Sequence, residues 1–149
     1  MSRHIDWQTR LTNLITKNRE KPFDFVKHNC LLWAGQGILA VTGSNPVKRI
    51  VGKYTDEKSA LRYLKETENV TSVSQFLMKV LEREDTAIAF ARPGDIVLFD
   101  PSTADLNICS NDAFGKVPGL CYGNLSYFVG LEGLVSIETF RLDSAICLS

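Results

Sequence analysis

The sequence predicts an α+β fold, with helices over residues 1–83 packed on an antiparallel sheet built from residues 87–149. Three observations predict it. Apolar residues recur at helical spacing through the first part, and short strand-like runs punctuated by Gly, Asn and Pro fill the second. The 149 residues contain no repeat, linker or low-complexity stretch, which suits a single domain over 1–149. At 44% hydrophobic, a chain of this length buries a core without needing disulfides or a metal.

The first helix is expected over 5–18, where Trp7, Leu11, Leu14 and Ile15 share a face, Asp6 stands at the N-cap and Lys17 and Arg19 suit the negative end of the dipole. Lys21-Pro22-Phe23 ends it, and the aromatic stretch Phe23-Asp24-Phe25-Val26 leads to His28-Asn29-Cys30. Asn29 caps a second helix, Cys30 to Thr42, apolar nearly all round and stopped by Gly43. Pro46 opens a short helical segment. Thr55 is read as the cap of a helix to Glu66, with Ala60, Leu61 and Leu64 inward. Thr71 or Ser72 caps the next, to Arg83, with Val73, Phe76, Leu77, Val80 and Leu81 inward.

In the second part, Arg92-Pro93-Gly94-Asp95 is a turn feeding the buried strand Ile96-Val97-Leu98-Phe99, which Asp100-Pro101 ends. Runs at 119–122, 126–129 and 134–137, separated by Gly123-Asn124 and Glu132-Gly133, should pair as an antiparallel meander. The stretch from Phe140 to Leu148 is expected to add an edge strand, with a bend at Asp143-Ser144.

Charge narrows the function classes. Seventeen Lys and Arg balance seventeen Asp and Glu, which argues against a general nucleic-acid binder or a polybasic membrane anchor. The balance hides two halves: residues 1–70 carry 12 basic and 7 acidic side chains, and residues 71–149 carry 5 and 10. No run approaches the roughly 20 apolar residues of a membrane span, and Ser2-Arg3-His4 is no signal core, so a cytoplasmic protein is expected. Cys30, Cys109, Cys121 and Cys147 lie far apart with no His placed to complete a zinc set; neither metal nor cofactor is expected. Cys109, Cys121 and Cys147 read as small buried apolar residues.

Cys30 stands apart, at the first turn of a buried helix behind an Asn cap. Unpaired N–H groups and the helix dipole favour a thiolate there and lower a cysteine pKa from its free value of about 8.5, so Cys30 is a candidate nucleophile. A cysteine packed as a small hydrophobe fits the same position. A Cys–His pair needs the imidazole within about 2.6–3.2 Å of the sulfur. The two histidines, His4 and His28, both lie in the first 28 residues. His28 is expected on an extended approach with its ring away from the thiol, in a capping or surface role, and His4 in a mobile terminus.

Phe23-Asp24-Phe25-Val26-Lys27-His28-Asn29-Cys30-Leu31-Leu32-Trp33-Ala34, then Thr42-Gly43, Gly52-Lys53-Tyr54 and Arg92-Pro93-Gly94-Asp95-Ile96-Val97-Leu98, together resemble small phage and prophage tail-associated proteins related to NlpC-type cysteine peptidases. The resemblance spans nearly the whole chain in order and implies a papain-like architecture. It puts Cys30 at the nucleophile position and Asn29 where an Asp usually stands. It also puts Val117, in Val117-Pro118-Gly119-Leu120-Cys121-Tyr122-Gly123, where the peptidases carry the basic His. An apolar side chain accepts no proton. The orienting polar residue would fall near Ser126, Tyr127 or Phe128, none of which matches.

Other features have plainer readings. Asp95 and Asp100 are read as turn residues, and Trp7 and Trp33 as core anchors. Lys48, Arg49 and Lys53 form a solvated face or a docking surface for an acidic partner. The resemblance implies a structural or assembly protein of a phage tail tip or baseplate, on a peptidase fold without its base. Its partners would be a hub or fibre-bearing tail protein, with no nucleic acid and no membrane span. It would reside in the host cytoplasm during assembly and then in the virion tail. Two alternatives stand: an active cysteine peptidase or amidase on peptidoglycan peptides using Cys30, and an inhibitor of a host protein.

Overall fold

The computed structural model describes residues 2–100 and 114–148, and over these the fold is α+β, with the helices first and the sheet after. The helices are α1 (Trp7–Asn18), α2 (Cys30–Thr42), α3 (Glu57–Glu66) and α4 (Val73–Leu81). The strands are β1 (Thr86–Ala87), β2 (Ile96–Phe99), β3 (Val117–Cys121), β4 (Leu125–Val129), β5 (Leu134–Glu138) and β6 (Ser144–Ile146). They form one antiparallel sheet in the order β1-β6-β2-β3-β4-β5.

The helix ends have local causes. The Asn29 side chain accepts the Leu32 N–H at 2.9 Å, and Gly43 closes α2 at φ +82°, in the left-handed region that glycine enters without strain. α3 is capped by Asp56, one residue after the expected Thr55. The Asp56 carboxylate accepts the Ser59 N–H at 2.8 Å, and the Ser59 hydroxyl accepts the Asp56 N–H at 3.1 Å, a reciprocal box Thr55 does not make. Ser72 caps α4 through the Gln75 N–H. Asp6 sits at the cap position of α1 but makes no cap bond; its carboxylate takes Arg10, one turn on, at 2.8 Å.

The β3–β5 meander pairs as the patterning predicts, with β2 antiparallel beside β3, but the last strand does not lie at an edge. β6 is inserted between β1 and β2, with Ile96 opposite Ile146 and Leu98 opposite Ser144, and all three of its residues are buried. The two-residue β1 is the edge instead. A cause lies just beside it: the Asp95 carboxylate accepts the Leu148 N–H at 3.0 Å and draws the end of the chain in against β2.

Alternation along the strands splits the core. Ile96, Leu98, Leu120, Val129 and Ile146 join Trp33, Ile38, Phe76 and Leu77 from the helices. Val97, Phe99, Val117, Cys121, Phe128 and Ala145 form a second cluster, against which Cys30 packs. α2 lies close on β3, because a Cβ at Gly37 would come within 2.3 Å of the Leu120 side chain. The fully buried Trp33 indole N–H donates to the Tyr127 carbonyl at 3.0 Å, satisfying its one polar atom.

Two buried carboxylates pin distant segments. Asp95 takes Arg3 at 2.8 Å, discussed below. Glu68, 5% exposed, gathers Arg49, Lys79 and the Tyr63 hydroxyl, the last at 2.5 Å, and so joins the 46–50 turn, α3 and α4. Burial pushes the Glu68 carboxyl up, but the hydrogen bonds from Tyr63 and Arg49 and the Arg49 charge outweigh it and leave it below its ordinary value. Burial first, then Glu68, pushes the Tyr63 hydroxyl up to about 12. Because the folded-state value of Glu68 is lowered, its stabilisation is present above about pH 4.5 and is lost as the pH falls through the lowered value.

Candidate functional site

The segment before α2 is a closed loop. Asp24 accepts the N–H groups of Val26 and Lys27 at 3.0 and 2.9 Å, and Asp24 and His28 exchange backbone hydrogen bonds at 3.0 and 2.8 Å. The Asp24 carboxyl is lowered by these two N–H bonds, Lys27 first. The loop sets Phe25 on the wall of a cavity at the start of α2 and buries His28.

Asn29 is the joint of the site. Besides capping α2, its Nδ2 donates to the Phe25 carbonyl at 2.7 Å and to the Tyr54 hydroxyl at 2.6 Å, so one side chain ties the loop, the helix start and the Gly52-Lys53-Tyr54 segment together. Burial pushes the Tyr54 hydroxyl up, against the Asn29 bond and with a contribution from neighbouring Cys30, so Tyr54 is a neutral phenol at pH 7. Asn29→Ala should therefore cost about 1–2 kcal/mol in urea unfolding. Asn29→Asp, which keeps the cap acceptor, should cost less; equal losses would show that the cap is not what Asn29 contributes.

The cavity holds about 370 Å³, and its wall is mainly apolar: Phe25, Cys30, Tyr54, Phe114, Val117 and Leu131 contribute to it. Cys30 is a half-buried thiol at the first residue of α2, and Val117 is 3% exposed at the start of β3. Cys30 and the position at which the resemblance places the base thus share one wall, and that position carries two methyl groups. Ser126, Tyr127 and Phe128 do not reach the cavity. The Ser126 hydroxyl pairs with Thr139 at 2.8 Å, the Tyr127 carbonyl takes Trp33, and Phe128 is buried in the second cluster.

A profile of a domain of unknown function, DUF6950, matches residues 2–145. The chain belongs to this family. No curated protein matches it. The matched span takes in the loop, α2, Tyr54, Val117 and the turn at Asp95, so the whole cavity wall belongs to the DUF6950 domain.

The DUF6950 chain keeps both histidines from the thiol. His28 does not have the expected surface or capping role: it is fully buried, and neither ring nitrogen has a hydrogen-bond partner among the described residues. Its ring meets Trp33 edge-on at 6.1 Å, and it is not on the cavity wall. The closed 24–28 loop, where an extended approach was expected, turns it inward. Burial, then the charge of Lys21, lowers the His28 pKa against an opposing pull from Asp24. His4 is not loose either. Its N–H donates to the Val41 carbonyl at 2.7 Å and its ring packs on Gly43, at the far end of the 13-residue α2, roughly 20 Å from Cys30 at 1.5 Å per residue.

Asp95 is a turn residue and more. The Asp95 N–H closes the turn on the Arg92 carbonyl at 3.0 Å, with Gly94 at φ +93° as a type II turn requires. Its fully buried carboxylate also accepts from Arg3 (2.8 Å), the Arg92 N–H (2.9 Å) and the Leu148 N–H (3.0 Å). The Asp100 N–H donates to the Asp143 carboxylate at 2.7 Å. Trp33 is a core anchor, and Trp7 packs on the core beneath the Arg3 guanidinium, 4.4 Å from its ring.

Arg49, half-exposed, pairs with Glu68 and lies over the Phe76 ring at 5.5 Å, and Lys48 and Lys53 are exposed beside it. Cys121 is buried as expected. Cys147 is half-buried, its thiol pushed up by burial and by Asp95. Cys109 lies outside the described residues. Among the described residues no group of three or more His, Cys, Asp or Glu is placed to hold a metal, and no helix is long and apolar enough to cross a membrane. Phe114, Tyr63 and Leu131 on the wall, and Arg3 on Asp95, carry no local sequence signal that would place them there.

Proposed function

We propose that this chain is a structural or assembly component of a phage tail tip or baseplate, on a papain-like, NlpC-type peptidase fold that lacks its catalytic base. The observation that carries the reading is Val117 on the cavity wall with Cys30, while His28 and His4 are held elsewhere. Cysteine hydrolases of this type rely on an imidazole to take the thiol proton, and neither histidine of this chain lies on the wall with Cys30. The phage-tail part rests on the order of motifs from Phe23 to Leu98. Such a protein works through its surfaces, with a hub or fibre-bearing tail protein as partner. Two large exposed rings support this: Phe90 and Phe140, 66% and 74% exposed, sit on two neighbouring 3₁₀ turns. The protein assembles in the host cytoplasm and ends in the virion tail, where the opposite charges of its two halves help orient it.

Co-expression with candidate tail-tip proteins, followed by affinity capture and by mass spectrometry of purified virions, tests this. The expected result is capture of a tail-tip protein and presence of the chain in virions. Neither association nor presence in virions would overturn the proposal. One observation favours a second reading, an active cysteine peptidase: Cys30 is half-buried on an open cavity at a helix start, where a thiolate is favoured.

A further inference from the structure

We propose that the cavity beside Cys30 is a binding site for a single neutral aromatic group of benzene or indole size. Its volume of about 370 Å³ is well above the roughly 150 Å³ in which an apolar cavity takes up benzene. Tilted rings form its wall: Phe25 meets Tyr54 at 5.5 Å and 64°, and Phe114 at 6.3 Å and 46°. A further ring extends such an edge-to-face set, and the Cys30 sulfur on the same wall adds a polarizable contact.

Polar groups on the wall define the rest of the ligand. The Tyr54 oxygen accepts from Asn29, and among the described residues no acceptor takes its own O–H, which suits it to donate to an acceptor such as a carbonyl next to the ring. Among the described residues the charged lining residues are Glu57 and Lys116, one of each sign, which favours a neutral group over an aromatic acid or amine. An aromatic side chain flanked by peptide carbonyls and a free aromatic molecule share this chemistry. The site stands independently of the tail-docking proposal.

The test is titration of isotopically labelled protein with N-acetyl-tryptophanamide and, separately, 3-methylindole, followed by amide NMR. Saturable shifts at Phe25, Cys30, Tyr54 and Val117 are expected. Phe25→Leu, which removes a wall ring, and Ala60→Leu, which fills the cavity from α3, should each weaken binding about tenfold or more. If Ala60→Leu does not fold, Phe25→Leu alone decides. Tighter binding of the amide assigns the site to an aromatic residue of a polypeptide; tighter binding of 3-methylindole assigns it to a free aromatic molecule. Absence of saturable shifts with both probes, shifts confined to other surfaces, or undiminished binding by the folded variants would overturn the proposal.

Discussion

Asp95→Asn should destabilise the protein by about 3–5 kcal/mol, a drop of roughly 10 °C in melting temperature for a chain of this size. Asp95 is fully buried and accepts from three segments: Arg3 before α1, Arg92 in the turn and Leu148 after β6. Asparagine keeps the shape but turns one acceptor oxygen into a donor and removes the charge facing Arg3, whose side chain is only 12% exposed. Breaking such a pair costs more than the pair contributes, because the remaining charge stays buried. Arg3→Met in the Asp95→Asn background should then cost little more. A full additional loss in that double variant, read by urea unfolding, would show that the two side chains act independently.

His28→Phe should raise stability by about 1–2 kcal/mol at pH 7. A buried ring with two unpartnered nitrogens carries an uncompensated desolvation cost, and phenylalanine keeps the edge-on contact with Trp33 without it. The advantage should grow in acid. The unfolded imidazole titrates near 6.5 and the folded one lower, so between those values the unfolded state binds more protons; stability is full above pH 6.5 and is lost as the pH falls below it. Lys21 and Asp24 are the charged groups acting on the ring, with opposite effects. Parallel stability–pH curves for the two proteins between pH 7.5 and 5 would contradict this account.

What could be read from the sequence follows the range of the interactions involved. α2 is legible to the residue because its cap, apolar run and terminal glycine are all local. The meander is legible because alternation and turns are local too. The interior place of β6 is not legible because a three-residue strand carries no pattern, and its place is set by the hydrogen bond that the Leu148 N–H donates to Asp95, 53 residues back. β1, with two residues, carries still less. The cap of α3 shifted from Thr55 to Asp56 because both are good cap residues and only the reciprocal bond with Ser59 separates them.

The site divides in the same way. Cys30 and Asn29 were found from helix-start chemistry and Val117 from motif order, and all three lie on one cavity. The burial of His28 is not legible because the turn closed by Asp24, which rotates the ring inward, depends on side-chain bonds that spacing does not show. Phe114 and Leu131 come from segments far from Cys30 in sequence, and only the folded chain joins them.

The proposed reading holds that, without a histidine on this cavity wall, the Cys30 thiol does no hydrolysis. Incubation of the protein and of Cys30→Ala with peptidoglycan stem peptides, with cleavage followed by mass spectrometry from pH 5 to 9, tests it most directly. The account predicts no cleavage by either protein. Cleavage by the parent chain that disappears in Cys30→Ala would contradict it.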